Sequence, residues 1–484
     1  MNDIVALDAL ALSRSIRARE VSCREVMRAY LERIARVNPG LNAIVSMEPE
    51  QSLLAQADER DRQLARGEWL GWMHGMPQAP KDLAQTRGLR TTWGSPIFRD
   101  FVPDQDAAIV ERVRAAGAIL VGKTNVPEFG LGSQTFNEVF GPTLNPWNPS
   151  KTAGGSSGGA AAALAARMLP VADGSDMMGS LRNPAAFCNV YGFRPSRGRV
   201  PNTLAPDAFS QQLATDGPMG RSVADLAMLL ATQAGYDARA PLSLGDDPSV
   251  FAQPLGRDFS GARIGWLGDL GGHLPFEPGV LELCRSALKV FETLGCRVDE
   301  ARVDFAPERM WRTWLAWRRF LVSGSLVAHY RDPGRRPLLK PEAVWEIEQG
   351  LATSALDVHD ASVDRTALYR AVLAAFEHFD FLVLPTAQVF PFDVTQRWPK
   401  SIAGREMDTY HRWMEVVILP TLTGCPALSV PAGFASEGEP AGLPMGIQII
   451  GRPRDDLSVL QLGHAWDRAT DWARRVPPEP PQAA

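Results

Sequence analysis

Cysteine is scarce in this chain, and the little there is forms no pattern. The five cysteines, Cys23, Cys188, Cys284, Cys296 and Cys425, are odd in number and far apart, with no CxxC pair. That argues against a disulfide framework and a cysteine zinc site, and for a reducing, cytoplasmic compartment. The seven histidines are equally dispersed, so no metal site is expected. No uninterrupted apolar run reaches the length of a membrane span. The opening segment MNDIVALDALALSRSIRARE carries acidic residues in its apolar part and no small-residue cleavage site, so neither a secretory signal nor a transit peptide is expected. Charge of one sign is lacking too. Fifty Lys and Arg against 55 Asp and Glu leave a net charge of −5, spread throughout, with no basic stripe for nucleic acid.

What is present is an ordinary globular composition, 45% apolar and 22% charged over 484 residues, enough for an ample core. Ser22 followed by Glu25 marks a capping box, and apolar residues at 26, 27, 30, 31 and 34 predict an amphipathic helix over 22–37. A second helix is expected over 51–66. Asp106 is positioned to cap a helix running to Ala116, Gly117 ends it, and AILVG follows as a buried strand. Helix-then-strand order recurs at 262–294 and again around the strands expected at 379–387, 421–433 and 442–453, the sign of an α/β layer. Ser222 and Asp225 cap a further packing helix. Residues 305–350 differ in texture, with Trp311, Trp314 and Trp317 at helical spacing among arginines. An aromatic stripe of that kind is ordinarily core. The tail PPEPPQAA is expected to be disordered.

The chemistry concentrates in residues 151–200. Gly154-Gly155-Ser156-Ser157-Gly158-Gly159 is a flexible loop that delivers serines to the start of an alanine-rich helix. A second turn, Gly174 to Ser180, carries another serine. A Gly/Ser loop is usually only a turn, and without a GK[ST] ending it implies no phosphate loop and no nucleotide cofactor. No histidine lies between 150 and 200, so a Ser-His-Asp triad on an α/β-hydrolase elbow is not expected. Upstream, Gly75-Met76-Pro77-Gln78-Ala79-Pro80-Lys81-Asp82 places Lys81 among apolar neighbours, where burial favours the uncharged amine.

These strings together resemble the amidase signature family. The GGSSGG loop, the segment SDMMGSLRNPAAFCNVYGFRPS, the 24-position separation of Ser156 and Ser180, and the G-x-P-x-x-x-K-D segment carry the resemblance, which extends over roughly residues 5–470. It implies one large α/β domain over 1–475, a central mixed twisted β-sheet covered by helices, with a core motif at 74–200, a variable region at about 305–365 and a disordered tail at 476–484. It also implies an amidase of linear C–N bonds with a Ser–cis-Ser–Lys triad: Ser180 the nucleophile, Ser156 the relay behind a cis peptide, and neutral Lys81 the base. Backbone N–H groups of Met177, Met178, Gly179 and Ser180 are the expected oxyanion hole. Asp176 and Arg182 are expected to support the turn. The Lys123-Thr124-Asn125 segment and Gly130 are expected to border the pocket, with Trp311 and Trp314 as candidates for an apolar acyl or aryl site.

One departure stands out. Met177-Met178 occupies the place of the family's usual Thr-Gly, and a positive φ at Met178 would strain it. The thioethers otherwise suit apolar substrates. The expected partner is a small amide, anilide, carbamate or ester, with no metal, cofactor, nucleic acid or membrane, and the expected assembly is a homodimer. Two alternatives stand beside it: the glutamine-hydrolysing subunit of a tRNA-dependent amidotransferase, and a non-catalytic binding protein on the same scaffold.

Overall fold

The computed structural model describes residues 4–480. Its first layer is helical: α1 (Ala9–Arg17), α2 (Cys23–Val37) and α3 (Glu50–Ala65). The capping box forms as the spacing predicts, Ser22 Oγ accepting the Glu25 N–H at 3.1 Å and Glu25 Oε2 accepting the Ser22 N–H at 2.8 Å. The two-residue strands β1 (Ile44–Val45) and β4 (Lys123–Thr124) pair antiparallel, while β2 (Pro77–Gln78) and β3 (Ile119–Leu120) pair parallel. The AILVG strand is therefore real but short, and it lies outside the main sheet. Between them, α4 (Ala108–Ala115) starts one residue after an uncapped Ala107. Asp106 does not cap it: its carboxylate accepts the Arg87 N–H at 2.7 Å and pairs with Arg114.

The main sheet has eight strands: β5 (Val171–Asp176), β6 (Tyr191–Arg194), β7 (Thr215–Gly220), β8 (Arg263–Trp266), β9 (Arg297–Glu300), β10 (Phe381–Pro385), β13 (Ala427–Phe434) and β14 (Pro444–Ile450). Strands β11 (Ser401–Ile402) and β12 (Arg405–Glu406) form a separate hairpin. The order is β5-β7-β6-β13-β14-β10-β8-β9. Neighbours run antiparallel except at the β10-β8-β9 edge, so the sheet is mixed. Its central strands are apolar on both faces, as expected of a sheet covered by helices.

The covering helices are α5 (Gly158–Ala165), α6 (Arg182–Cys188), α7 (Val223–Gln233), α8 (Val280–Ala287), α9 (Lys289–Thr293), α13 (Ile418–Thr423) and α14 (Asp456–Ala469). Helix α13 takes up Thr421 to Thr423, which the sequence pattern assigns to a strand. The region of different texture becomes three long helices, α10 (Pro307–Arg331), α11 (Pro341–Leu351) and α12 (Ala355–His378), packed on one another.

Every residue of α5 is buried. Its small surface lets the backbone of β4's neighbour Asn125 come so close that a Cβ on Gly159 would sit 2.3 Å from the Asn125 nitrogen. All five cysteines are buried and unpaired. The tail is not wholly free: Glu479 accepts from Arg33 Nη1 of α2 at 2.6 Å, because the otherwise buried Arg33 needs a counter-charge. Residues 481–484 lie outside the described residues. No helix is long and apolar enough to cross a membrane among the described residues.

Candidate active site

Lys81 is held by its backbone before its side chain does anything. It bridges Thr124, and its N–H donates to Asp173 Oδ2 at 3.0 Å on β5. The side chain is buried. Nζ lies 2.9 Å from Ser156 Oγ, 2.8 Å from Ser157 Oγ, 3.0 Å from Ser175 Oγ and 3.2 Å from the Ser175 carbonyl. None of these four partners is a carboxylate. Burial therefore pulls the amine down to about 7, although the more distant carboxylates of Asp216, Asp176 and Asp173 act in the opposite sense. An amine in that range accepts and returns protons near neutral pH.

The loop that brings Ser156 to this amine is pinned on both sides. Thr135 Oγ1 donates to the Gly154 carbonyl at 2.8 Å, and Asn183 Oδ1 accepts the Gly155 N–H at 3.2 Å. The peptide between Gly155 and Ser156 is cis. Gly154 to Gly158 also satisfies the letters G-x-S-x-G, yet the group beside Ser156 is an amine and not an imidazole.

Ser180 ends the turn that follows β5. The left-handed residue of that turn is Gly179, at φ 81°, and a Cβ there would meet Val417 Cγ2 at 2.9 Å. Met178 is not among the residues with positive φ, so the strain feared at that position does not arise. Asp176 organises the turn: Oδ1 accepts the Gly179 N–H at 2.8 Å and Oδ2 the Leu181 N–H at 3.2 Å. The Gly179 amide, expected to be one of four oxyanion donors, is thus already engaged. The Met178 and Ser180 amides donate to no acceptor among the described residues.

Arg182 closes on the same carboxylate at 2.9 and 3.0 Å, and Arg194 joins it at 3.2 Å. Burial alone would raise the Asp176 carboxyl, but the two guanidiniums prevail and hold it well below the usual carboxylate range. Arg182 also donates to the Val417 carbonyl and to Gln448 and Thr421. The turn is anchored to the central strands through one arginine.

Ser156 and Ser180 both open into a cavity of about 270 Å³. Its walls are largely apolar, including Leu83, Trp93, Phe129, Met177, Leu321 and Met414, and Gly130 lies on its rim. Trp311 and Trp314 do not line it. They turn into the core beneath Arg412 and Arg318. The same helical stripe reaches the cavity one turn later, through Arg318, Leu321, Val322 and Ser325. Lys123 and Asn125 do not line it either: Lys123 Nζ donates to the Ala84 carbonyl and Thr86 Oγ1, and Asn125 ties the loops at 42 and 141.

Several residues here escaped sequence reasoning. Ser157 and Ser175 touch Lys81, and adjacency to the two key serines was the only signal they offered. Arg318, Glu346 and Tyr410 form a buried trio, at 2.5, 2.6 and 2.8 Å, from three separate stretches of chain that nothing in the sequence links. A second chamber of about 430 Å³ continues on the far side of Lys81 and reaches Asp173 and Asp216.

A family model described as Amidase matches residues 25–460. The chain belongs to the amidase family. It is similar to an acylamidase of Rhodococcus erythropolis, 35% identical over 97% of each chain. It is equally similar to a glutamyl-tRNA(Gln) amidotransferase subunit from Thermosynechococcus vestitus, 35% identical over 96% of this chain and 98% of that one. Among solved structures, a bacterial aryl acylamidase of the amidase signature enzymes superposes with a TM-score of 0.88 at 30% identity, over 96% of this chain and 97% of the other. This amidase is accordingly a hydrolase of carbon–nitrogen bonds other than peptide bonds, with the amidase signature fold.

Proposed function

We propose that this chain hydrolyses small apolar amides, anilides or related carbamates and esters through an acyl-enzyme on Ser180. The observation that carries the reading is the 2.9 Å contact between the buried Lys81 amine and Ser156, with Ser156 and Ser180 on the wall of one cavity. Neutral Lys81 takes a proton from Ser156 Oγ as Ser156 takes one from Ser180 Oγ, and the Ser180 oxygen attacks the carbonyl carbon. The carbonyl oxygen becomes an oxyanion held by the amides of Met178 and Ser180, with Met177 beside them. As the C–N bond breaks, the proton returns through Ser156 to the leaving nitrogen. Water then repeats the attack with the same relay and releases the carboxylic acid.

Asp176, Arg182 and Arg194 support the turn. Gly179 contributes its conformation rather than a free N–H. The apolar lining favours uncharged substrates. The one guanidinium on the wall, Arg318, is already paired with Glu346, so the charged ends of free glutamine find no unpaired counter-charge there. That supports amide hydrolysis by the chain itself over the glutaminase-subunit reading. Five unpaired cysteines support a reducing, cytoplasmic setting.

The test is a panel of aliphatic amides, nitroanilides, carbamates, esters and glutamine, run on the purified chain and on Ser180→Ala. Turnover of anilides or carbamates is expected, with a loss of about 10³-fold or more in the variant. Ammonia release from glutamine alone, or equal rates in both proteins, would overturn the reading.

A further inference from the structure

Away from both chambers, a cavity of about 340 Å³ lies between α12, the loop after β6 and the end of α13. It shares no lining residue with the two chambers around Lys81. Three arginines line it, Arg197, Arg365 and Arg454, and among the described residues no aspartate or glutamate does. Arg365 is buried, stacked 5.2 Å from the Trp317 ring, and its hydrogen bonds go to the carbonyls of Leu422 and Gln212. Those contacts satisfy N–H groups without neutralising the charge. Arg197 likewise bonds the Gln212 side-chain oxygen at 2.6 Å.

The charges felt by Arg365 have its own sign. Burial and then Arg197 and Arg194 lower Arg365 to about 9, while burial and then Arg454 lower Arg197 against Tyr369, which acts in the opposite sense. The Trp317 indole N–H, also on the cavity wall, has no acceptor among the described residues. Arg365 is the buried member of the three, and Arg197 and Arg454 are exposed at the cavity mouth; a buried guanidinium with no carboxylate partner is costly unless something anionic enters.

We propose that this arginine-lined cavity binds a small multivalent oxyanion. Guanidinium groups of Arg197, Arg365 and Arg454 match the oxygens of a phosphate or carboxylate, and the hydroxyl of Tyr369 supplies a further donor. The volume admits a small organic phosphate or a polycarboxylate. Because the cavity is separate from the serines, occupancy does not depend on turnover.

Calorimetric titration of the full chain with inorganic phosphate and with citrate, at ionic strength fixed by sodium chloride, tests the site. Saturable binding of one equivalent is expected, retained in Ser180→Ala and weakened about tenfold or more in the Arg197→Gln/Arg454→Gln double variant. Arg365→Met, checked for folding by near-ultraviolet circular dichroism, is expected to lose binding altogether. Preference for phosphate or for citrate identifies which class of oxyanion fits. No saturable heat with either anion, or unchanged affinity in the double variant, would overturn the proposal whatever the chain hydrolyses.

Discussion

At the scale of single residues, the proposed mechanism makes the Lys81 amine the group that sets the pH dependence of turnover. Only its uncharged form accepts a proton, and that form prevails above about 7. For an anilide substrate, kcat/KM is expected to fall about tenfold per pH unit below that point and to level off above it. Asp216, itself raised to about 7 by burial and by Asp173, favours the charged amine. Asp216→Asn is therefore expected to move the rising limb to lower pH; a limb that stays put would mean another group titrates. Gly179→Ala places a Cβ at positive φ and 2.9 Å from Val417. A loss of about 1–3 kcal/mol in unfolding free energy is expected, together with most activity, as measured by urea denaturation and anilide turnover. That Lys81 meets Ser156, with Ser180 on the same cavity wall, was legible because these residues fall in short strings with fixed neighbours. The engagement of the Gly179 amide was not legible in that way. A sequence shows that a glycine stands in a turn but not that a carboxylate three residues earlier has already taken its N–H.

At the scale of elements, α10 contributes Arg318, Leu321, Val322 and Ser325 to the cavity wall, and its spacing carried half of that information. Trp311 and Trp314 mark the buried stripe correctly, but the stripe passes from core to cavity between Trp314 and Arg318. Only the partners α11 and α12 determine where. Ser325 is exposed at the mouth of both chambers. Ser325→Trp is expected to lower kcat/KM for bulky aryl substrates by about tenfold or more while sparing acetamide, whereas Trp314→Phe leaves the substrate range unchanged. Equal effects of the two substitutions on an aryl/acetamide pair would contradict this division of the helix. The expected strands were found within a few residues where β-branched runs are long. They shrank to two-residue pairs at β3 and β4, where the chain needs only to hold Lys81 and Asn125 in register.

At the scale of the whole molecule, the mixed sheet and its helices were legible as an α/β layer, but the strand order was not. Pairings such as β13 with β6 join stretches more than 200 residues apart, and no local pattern encodes them. The five cysteines, each enclosed in a different part of this architecture, turn that topology into an instrument. Burial pushes the Cys23, Cys188, Cys284 and Cys425 thiols well above their ordinary range, and Cys296 up to about 11, so none is a reactive thiolate in the folded state. An alkylating reagent is expected to leave the native enzyme active and unlabelled. As denaturant rises, the order in which the five become tagged, read by mass spectrometry of digested samples, records which parts of the molecule come apart first.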